Sequence, residues 1–114
     1  MLQTKEQLTA QQAFTCVDKR KKTSEKFSDY ESFAESFPTL IHTCGLVQAL
    51  AFAQSKKRTD YIEDLTEVFN KIDSAKDLLK ESREAKLEEY MRITRRATMA
   101  ATWIKRYCQA FAKK

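Results

Sequence analysis

One glycine and one proline in 114 residues leave almost nothing from which to build tight turns. Sheets and barrels need such residues at every reversal, so an all-β fold is all but excluded. Collagen-like, proline-rich and Gly/Ser-linker chains are excluded outright. With Gly45 as the sole glycine, no glycine-rich loop can cradle a phosphate. Histidine is equally scarce. His42 stands alone on an apolar stretch, with no acid or nucleophile at helical spacing, and reads as a structural residue. The three cysteines, Cys16, Cys44 and Cys108, are odd in number, far apart and lack any Cys-x-x-Cys. That argues against a disulfide framework and a zinc site, and for small apolar residues in a reducing cytosol.

Long apolar runs are missing too. The longest, Cys44 to Ala53, is ten residues broken by Gln48, about half of what a bilayer requires. The opening MLQTKEQLTA has no apolar core of a secretory signal, so a cytoplasmic protein without membrane contact is expected. Glu63, Asp64 and Glu67 share one side of a helix and read as an acidic solvent face rather than a metal site. These absences leave no credible enzyme, and no cofactor or small-molecule substrate is expected.

What is present is a chain 42% hydrophobic and 32% charged, the balance of a folding domain with a hydrated surface. Its length suits a single domain, 1–114, with a real but thin core. Helix is the default throughout, and the spacing predicts an all-α bundle of about five to six helices. Thr4 with Gln7 caps a first helix bearing Leu8, Ala13, Phe14 and Val17, which runs into Lys19-Arg20-Lys21-Lys22 and a polar link through Ser24. Ser28 with Glu31 opens a short second helix. Pro38 then starts a third, whose apolar residues from Leu40 to Phe52 cover nearly every direction of a helical wheel; this predicts a central helix buried on most sides. Gly45 inside it suggests close approach of a neighbour. Asp60 with Glu63 caps a helix facing inward through Ile62, Leu65, Val68, Phe69 and Ile72, and Ser74 with Asp77 starts a short piece around Leu78 and Leu79. From about Arg83 to Ala112 no breaker occurs, which predicts a helix of thirty residues, roughly 45 Å long.

Charge is unevenly placed. The net charge is +5, yet residues 29–55 carry −3 and residues 72–90 carry −2, while residues 91–114 hold seven cations and no acid. At 100° per residue the last helix has two faces. Tyr90, Ile93, Ala97, Ala101, Ile104, Cys108 and Phe111 form a core stripe, with Tyr107 at the edge of the opposite face. That face carries Arg92, Arg95, Arg96, Met99, Trp103, Arg106, Lys113 and Lys114, while Lys105 falls beside the core stripe. A solvated face normally mixes signs for pairing, and a tryptophan turned outward normally covers something. Cations interleaved with an aromatic suit a phosphate backbone, with the ring open to stacking. The alternative for Trp103 is packing against its own bundle or a partner protein. Lys19 and Arg20, with Lys21 and Lys22, either extend this surface or form a flexible basic loop.

Three segments carry a family resemblance. FPTLIHTCGLVQALAFAQSK (37–56) resembles a hallmark of the small helical subunit of the Cmr, or type III-B, CRISPR effector complex: Pro-x-Leu-Ile/Val, then Gly-Leu-x-Gln-Ala-Leu-Ala-Phe. EYMRITRRATMAATWIKRYCQAF (89–111) is similar to that family's C-terminal helix, and AQQAFTCV (10–17) fits its first helix more loosely. The resemblance covers roughly half the chain. It implies a non-catalytic helical bundle whose copies stack beside the backbone subunits that hold guide RNA and line the groove for target RNA, with catalysis left to the backbone and large subunits. It places Arg92, Arg95, Lys105 and Arg106 at basic positions of the motif and Trp103 at its aromatic position. Gly45 and Gln48 fall in the buried-helix motif, for close packing and an interhelix hydrogen bond. Arg96 belongs to the basic face but not to the motif. The expected partners are further copies of the chain, the backbone and large Cmr subunits, and guide or target RNA. The competing reading is a scaffold or adaptor whose basic face docks acidic proteins. A duplex-DNA regulator is disfavoured, because no helix-turn-helix signature is present.

Overall fold

Thr4 Oγ1 accepts from the Gln7 amide at 3.0 Å, and Gln7 Oε1 accepts from the Thr4 amide at 2.9 Å, the reciprocal pair of a capping box. Helix α1 follows, Lys5–Thr23. The computed structural model describes residues 3–23, 27–72 and 77–112. The expected link at Ser24, the Ser74 half of a cap, and Lys113 and Lys114 lie outside the described residues. Five further helices complete an all-α bundle: α2 Phe27–Cys44, α3 Leu46–Ser55, α4 Thr59–Ile72, α5 Leu78–Glu84 and α6 Leu87–Ala112. No strand occurs among the described residues.

The inward stripe of α1 is Thr9, Ala13, Cys16 and Val17, while Leu8 and Phe14 are exposed. The Thr9 hydroxyl donates to the Lys5 carbonyl at 2.7 Å, so its burial leaves no orphan. Ser28 lies inside α2 rather than at its cap. Asp60 likewise lies within α4, accepting from the Tyr61 amide at 2.6 Å. At α5 the cap is Asp77, whose carboxylate accepts from the Lys80 amide.

Pro38 does not start a helix; it sits inside α2. Phe37 and Ile41, on either side of it, are both buried, so packing carries the helix through a position that removes one backbone donor. The expected third helix, with its apolar residues from Leu40 to Phe52, is instead divided at Gly45, where φ is 88° and ψ is 158°. Only glycine populates that region readily. An added Cβ would lie 3.6 Å from the Tyr90 hydroxyl, ordinary contact, so the backbone angle and not a close neighbour demands the glycine. The Tyr90 hydroxyl accepts from the Val47 amide at 3.2 Å, tying the break to α6. Nor is this region buried on most sides: His42, Thr43, Cys44, Val47, Gln48, Ala51 and Phe52 are exposed.

The long terminal helix is 26 residues, about 39 Å, because Ala85 is extended and separates α5 from α6. Ile93, Ala97, Ala100, Ala101, Ile104 and Cys108 are wholly buried. Along this stripe α6 packs against α1, α2, α4 and α5. Helix α1 runs beside it in the same direction: Lys5 and Thr9 lie near Arg96, Met99 and Trp103, and Phe14 meets Tyr107 and Phe111 edge-on. The molecule is a slab of 42 × 41 × 20 Å.

Candidate nucleic-acid interface

Burying one stripe of α6 leaves the opposite stripe outward, because 100° per residue separates them. Arg95 and Arg106 are exposed there, with Met99 at 53% exposure between them. Arg92 is half-exposed and paired with Glu89 one turn back on the same helix. The acid-free stretch begins just after Glu89, so the C-terminal block is not isolated from anions as its composition suggests. Arg96 is half-buried and lines a groove of about 360 Å³ with Lys5, Thr9, Ile72 and Trp103. Lys105 is half-buried, at the margin where the wheel places it.

Trp103 is not a bare outward ring. It is half-buried against the core, and its ring stacks on Tyr107 with centroids 6.0 Å apart and planes 20° apart. Intramolecular packing is therefore its main occupation, and its remaining edge forms a wall of the groove beside Arg96.

Lys19 and Arg20 part company. Lys19 is exposed on α1, just before its last turn. Arg20 turns inward: Nε donates to Asp64 Oδ2 at 2.9 Å and Nη2 to Asp64 Oδ1 at 3.2 Å, with a further bond to the Asp60 carbonyl. Its side chain is 18% exposed and that of Asp64 only 1%. Arg20 is thus committed within the bundle and adds nothing to an outer cationic surface. Lys22 pairs with Asp18 at 3.1 Å, and Lys21 lies over the Phe27 ring.

Asp64 completes a network the sequence reading missed. Tyr30 donates to Asp64 Oδ2 at 2.6 Å, so the carboxylate receives a bidentate guanidinium and a phenol. Burial first, and then Asp64, push the Tyr30 hydroxyl well above its ordinary pKa. Grouping Asp64 with Glu63 and Glu67 as a solvent face was wrong for Asp64, which lies in the inward stripe between Tyr61 and Val68. That three- and four-residue spacing was the available signal. Glu67 accepts from Gln12 at 2.9 Å. Among the described residues no cluster of three metal-ligating side chains stands together.

His42 is exposed, not buried, and lines a shallow groove with Thr94, Arg95 and Met99. Gln48 is exposed as well. Burial pushes the thiols of Cys16 and Cys108 up to about 12, which makes them poor nucleophiles. Cys44 is exposed. No helix among the described residues is long and apolar enough to cross a membrane.

A family profile described as CRISPR-associated protein (Cas_Cmr5) matches residues 5–111. The chain is 36% identical over 112 residues to the CRISPR system Cmr subunit Cmr5 of Thermus thermophilus, covering 96% of both chains. It also superposes on the X-ray crystal structure of a CRISPR-associated Cmr5 family protein from the same organism. The TM-score is 0.84 and the identity 35%, over 96% of this chain and 97% of the other.

Proposed function

The chain belongs to the Cas_Cmr5 family of CRISPR-associated proteins, and from that membership we propose that it is a non-catalytic small subunit of a type III-B Cmr effector, lining the target-RNA groove in several stacked copies in the cytoplasm. The observation that carries the RNA role is the outward placement of Arg95 and Arg106 on a helix whose opposite stripe is locked into the core. Arg92 and the Arg96–Trp103 groove adjoin that ridge on α6, and Lys105 and Lys19 are the further basic positions of this reading. Cations on a rigid rod hold phosphates without reading bases, so sequence is left to guide–target pairing elsewhere. A single copy offers few contacts and binds weakly; a row of copies supplies useful affinity through avidity.

The test is target-RNA affinity of the assembled complex carrying Arg95→Glu and Arg106→Glu. The reading predicts binding weaker by about tenfold or more near 0.1 M salt, with normal assembly. Unchanged affinity contradicts it. Met91 and Met99, both about half exposed beside the arginines, favour a second reading in which the ridge docks an acidic protein partner. Under that reading the same variant fails to join the complex, and the isolated chain has no RNA affinity.

A further inference from the structure

A second cationic surface lies on another side of the molecule, around the turn between α3 and α4. Phe33 on α2 and Phe52 on α3 lie nearly parallel, with planes 7° apart and centroids 6.2 Å apart. Lys56 sits over the Phe52 ring at 5.5 Å, and Arg58 over the Phe33 ring at 6.0 Å. With Asp29, Ser32 and Ser36 they line an open groove of about 430 Å³. Phe52 is 42% exposed. Phe33 is the inner ring, closed in by Phe52, Arg58 and, edge-on, by Tyr61. This surface is separate from the α6 ridge. His42, which lines the groove beside Arg95, is nine residues from Phe33, half a revolution around α2.

Lys57, between the two cations, supplies an independent observation. Its φ is +59°, the left-handed region. The Lys57 amide donates to the Gln54 carbonyl and the Arg58 amide to the Ala53 carbonyl, the two bonds of a Schellman turn. Glycine is the residue such a position favours. This chain places a lysine there, accepting backbone strain to keep three successive cations exposed or half-exposed beside an outward phenyl ring.

We infer that this face docks an acidic segment of a partner protein, with carboxylates on Lys56, Lys57 and Arg58 and an apolar side chain on Phe52. Charge complementarity selects carboxylates for the turn. The alternative anion, a nucleic-acid backbone, is disfavoured by Asp29, the one acidic side chain that lines the groove. A phosphate chain carries a charge at every residue and has no donor to set against Asp29, whereas a protein segment can place one there. An exposed aromatic joined to Arg and Lys also matches the make-up of protein interfaces.

The experiment compares Lys57→Gly and Lys56→Glu/Arg58→Glu with wild type in the reconstituted complex, reading incorporation of the chain and target-RNA affinity separately. Lys57→Gly relieves strain and removes one charge. It should melt about 3–6 °C higher and yet incorporate roughly two- to fivefold less at 0.1 M salt, the deficit shrinking at 0.5 M as free partner charges are screened. The double variant should incorporate less by about tenfold or more. Normal incorporation of both turn variants overturns the inference. So does normal incorporation with weakened RNA binding, which makes the turn a nucleic-acid contact. A more stable Lys57→Gly chain that docks less well cannot be explained by misfolding.

Discussion

Arg20 shows how a residue's surroundings decide its use. Its sequence neighbours are lysines, yet its guanidinium forms a bidentate pair with a carboxylate that is only 1% exposed. Removing one partner of a buried pair strands the other charge, typically at about 3–5 kcal/mol. Arg20→Ala is therefore predicted to lose about 3 kcal/mol in urea unfolding at pH 7, the lower end because Arg20 keeps some exposure. The RNA affinity of a complex built with the folded variant should be unchanged. The thiols give a pH dependence of definite sign. Cys16 and Cys108 move from 9.0 to about 12 on folding, chiefly through burial. Below pH 9 both are neutral in either state and their contribution is intact. Above it the unfolded chain ionises first and binds fewer protons than the native one, so stability falls with rising pH. Tyr30 and Tyr61, also raised by burial, add to the fall above about pH 10. The urea midpoint should hold between about pH 7 and 8.5 and drop by about pH 10.5. A midpoint rising over that interval contradicts the assignment. Lys57→Gly should gain about 1 kcal/mol by removing a Cβ from the left-handed region.

Among the elements, the first capping box, the inward face of α4 and the core stripe of α6 were legible because each depends on local spacing. Thr4 and Gln7 bond as their separation dictates, and Ile62, Leu65, Val68 and Phe69 are buried as their periodicity requires. The breaks between helices were less legible. Proline is the stronger breaker by propensity, yet α2 passes through Pro38 and stops at Gly45. Burial of both Phe37 and Ile41 outweighs one lost backbone bond, while nothing but a glycine fits the angles that turn the chain into α3. Gly45→Ala should therefore cost about 1–3 kcal/mol, read as a lower thermal midpoint, even though space for the methyl group exists. Ala85 and Lys86 are ordinary helix formers. Ala85 is nevertheless extended, with Leu78 and Ser82 buried before the gap and Ile93 after it, a break that residue types alone do not signal.

At the scale of the whole molecule, α6 is a spine that fills the core with one stripe and presents arginines with the other. The outward cations at 95 and 106 were readable from the wheel. The pairing of Arg92 with Glu89 was not, because the acid lies just before the stretch whose composition drew attention. The stacking of Trp103 on Tyr107 follows from their four-residue spacing on one helix, a signal the wheel carried; the edge-on contact of Phe14 with Tyr107 depends on where α1 runs. Leu8 and Phe14 were misplaced by one position on a weakly amphipathic helix. Gln48 is outward on α3 and His42 on the last turn of α2, because the stretch read as one buried helix is two, each with only one buried stripe. The proposed RNA role requires the α6 ridge to neutralise phosphates. Each cation on a phosphate adds about one unit to the salt slope of binding. The measurement that tests it most directly is the dependence of target-RNA affinity on salt, for complexes holding wild type or Arg95→Glu/Arg106→Glu. The account predicts a slope shallower by about two for each engaged copy in the variant; two parallel lines of equal affinity would contradict it.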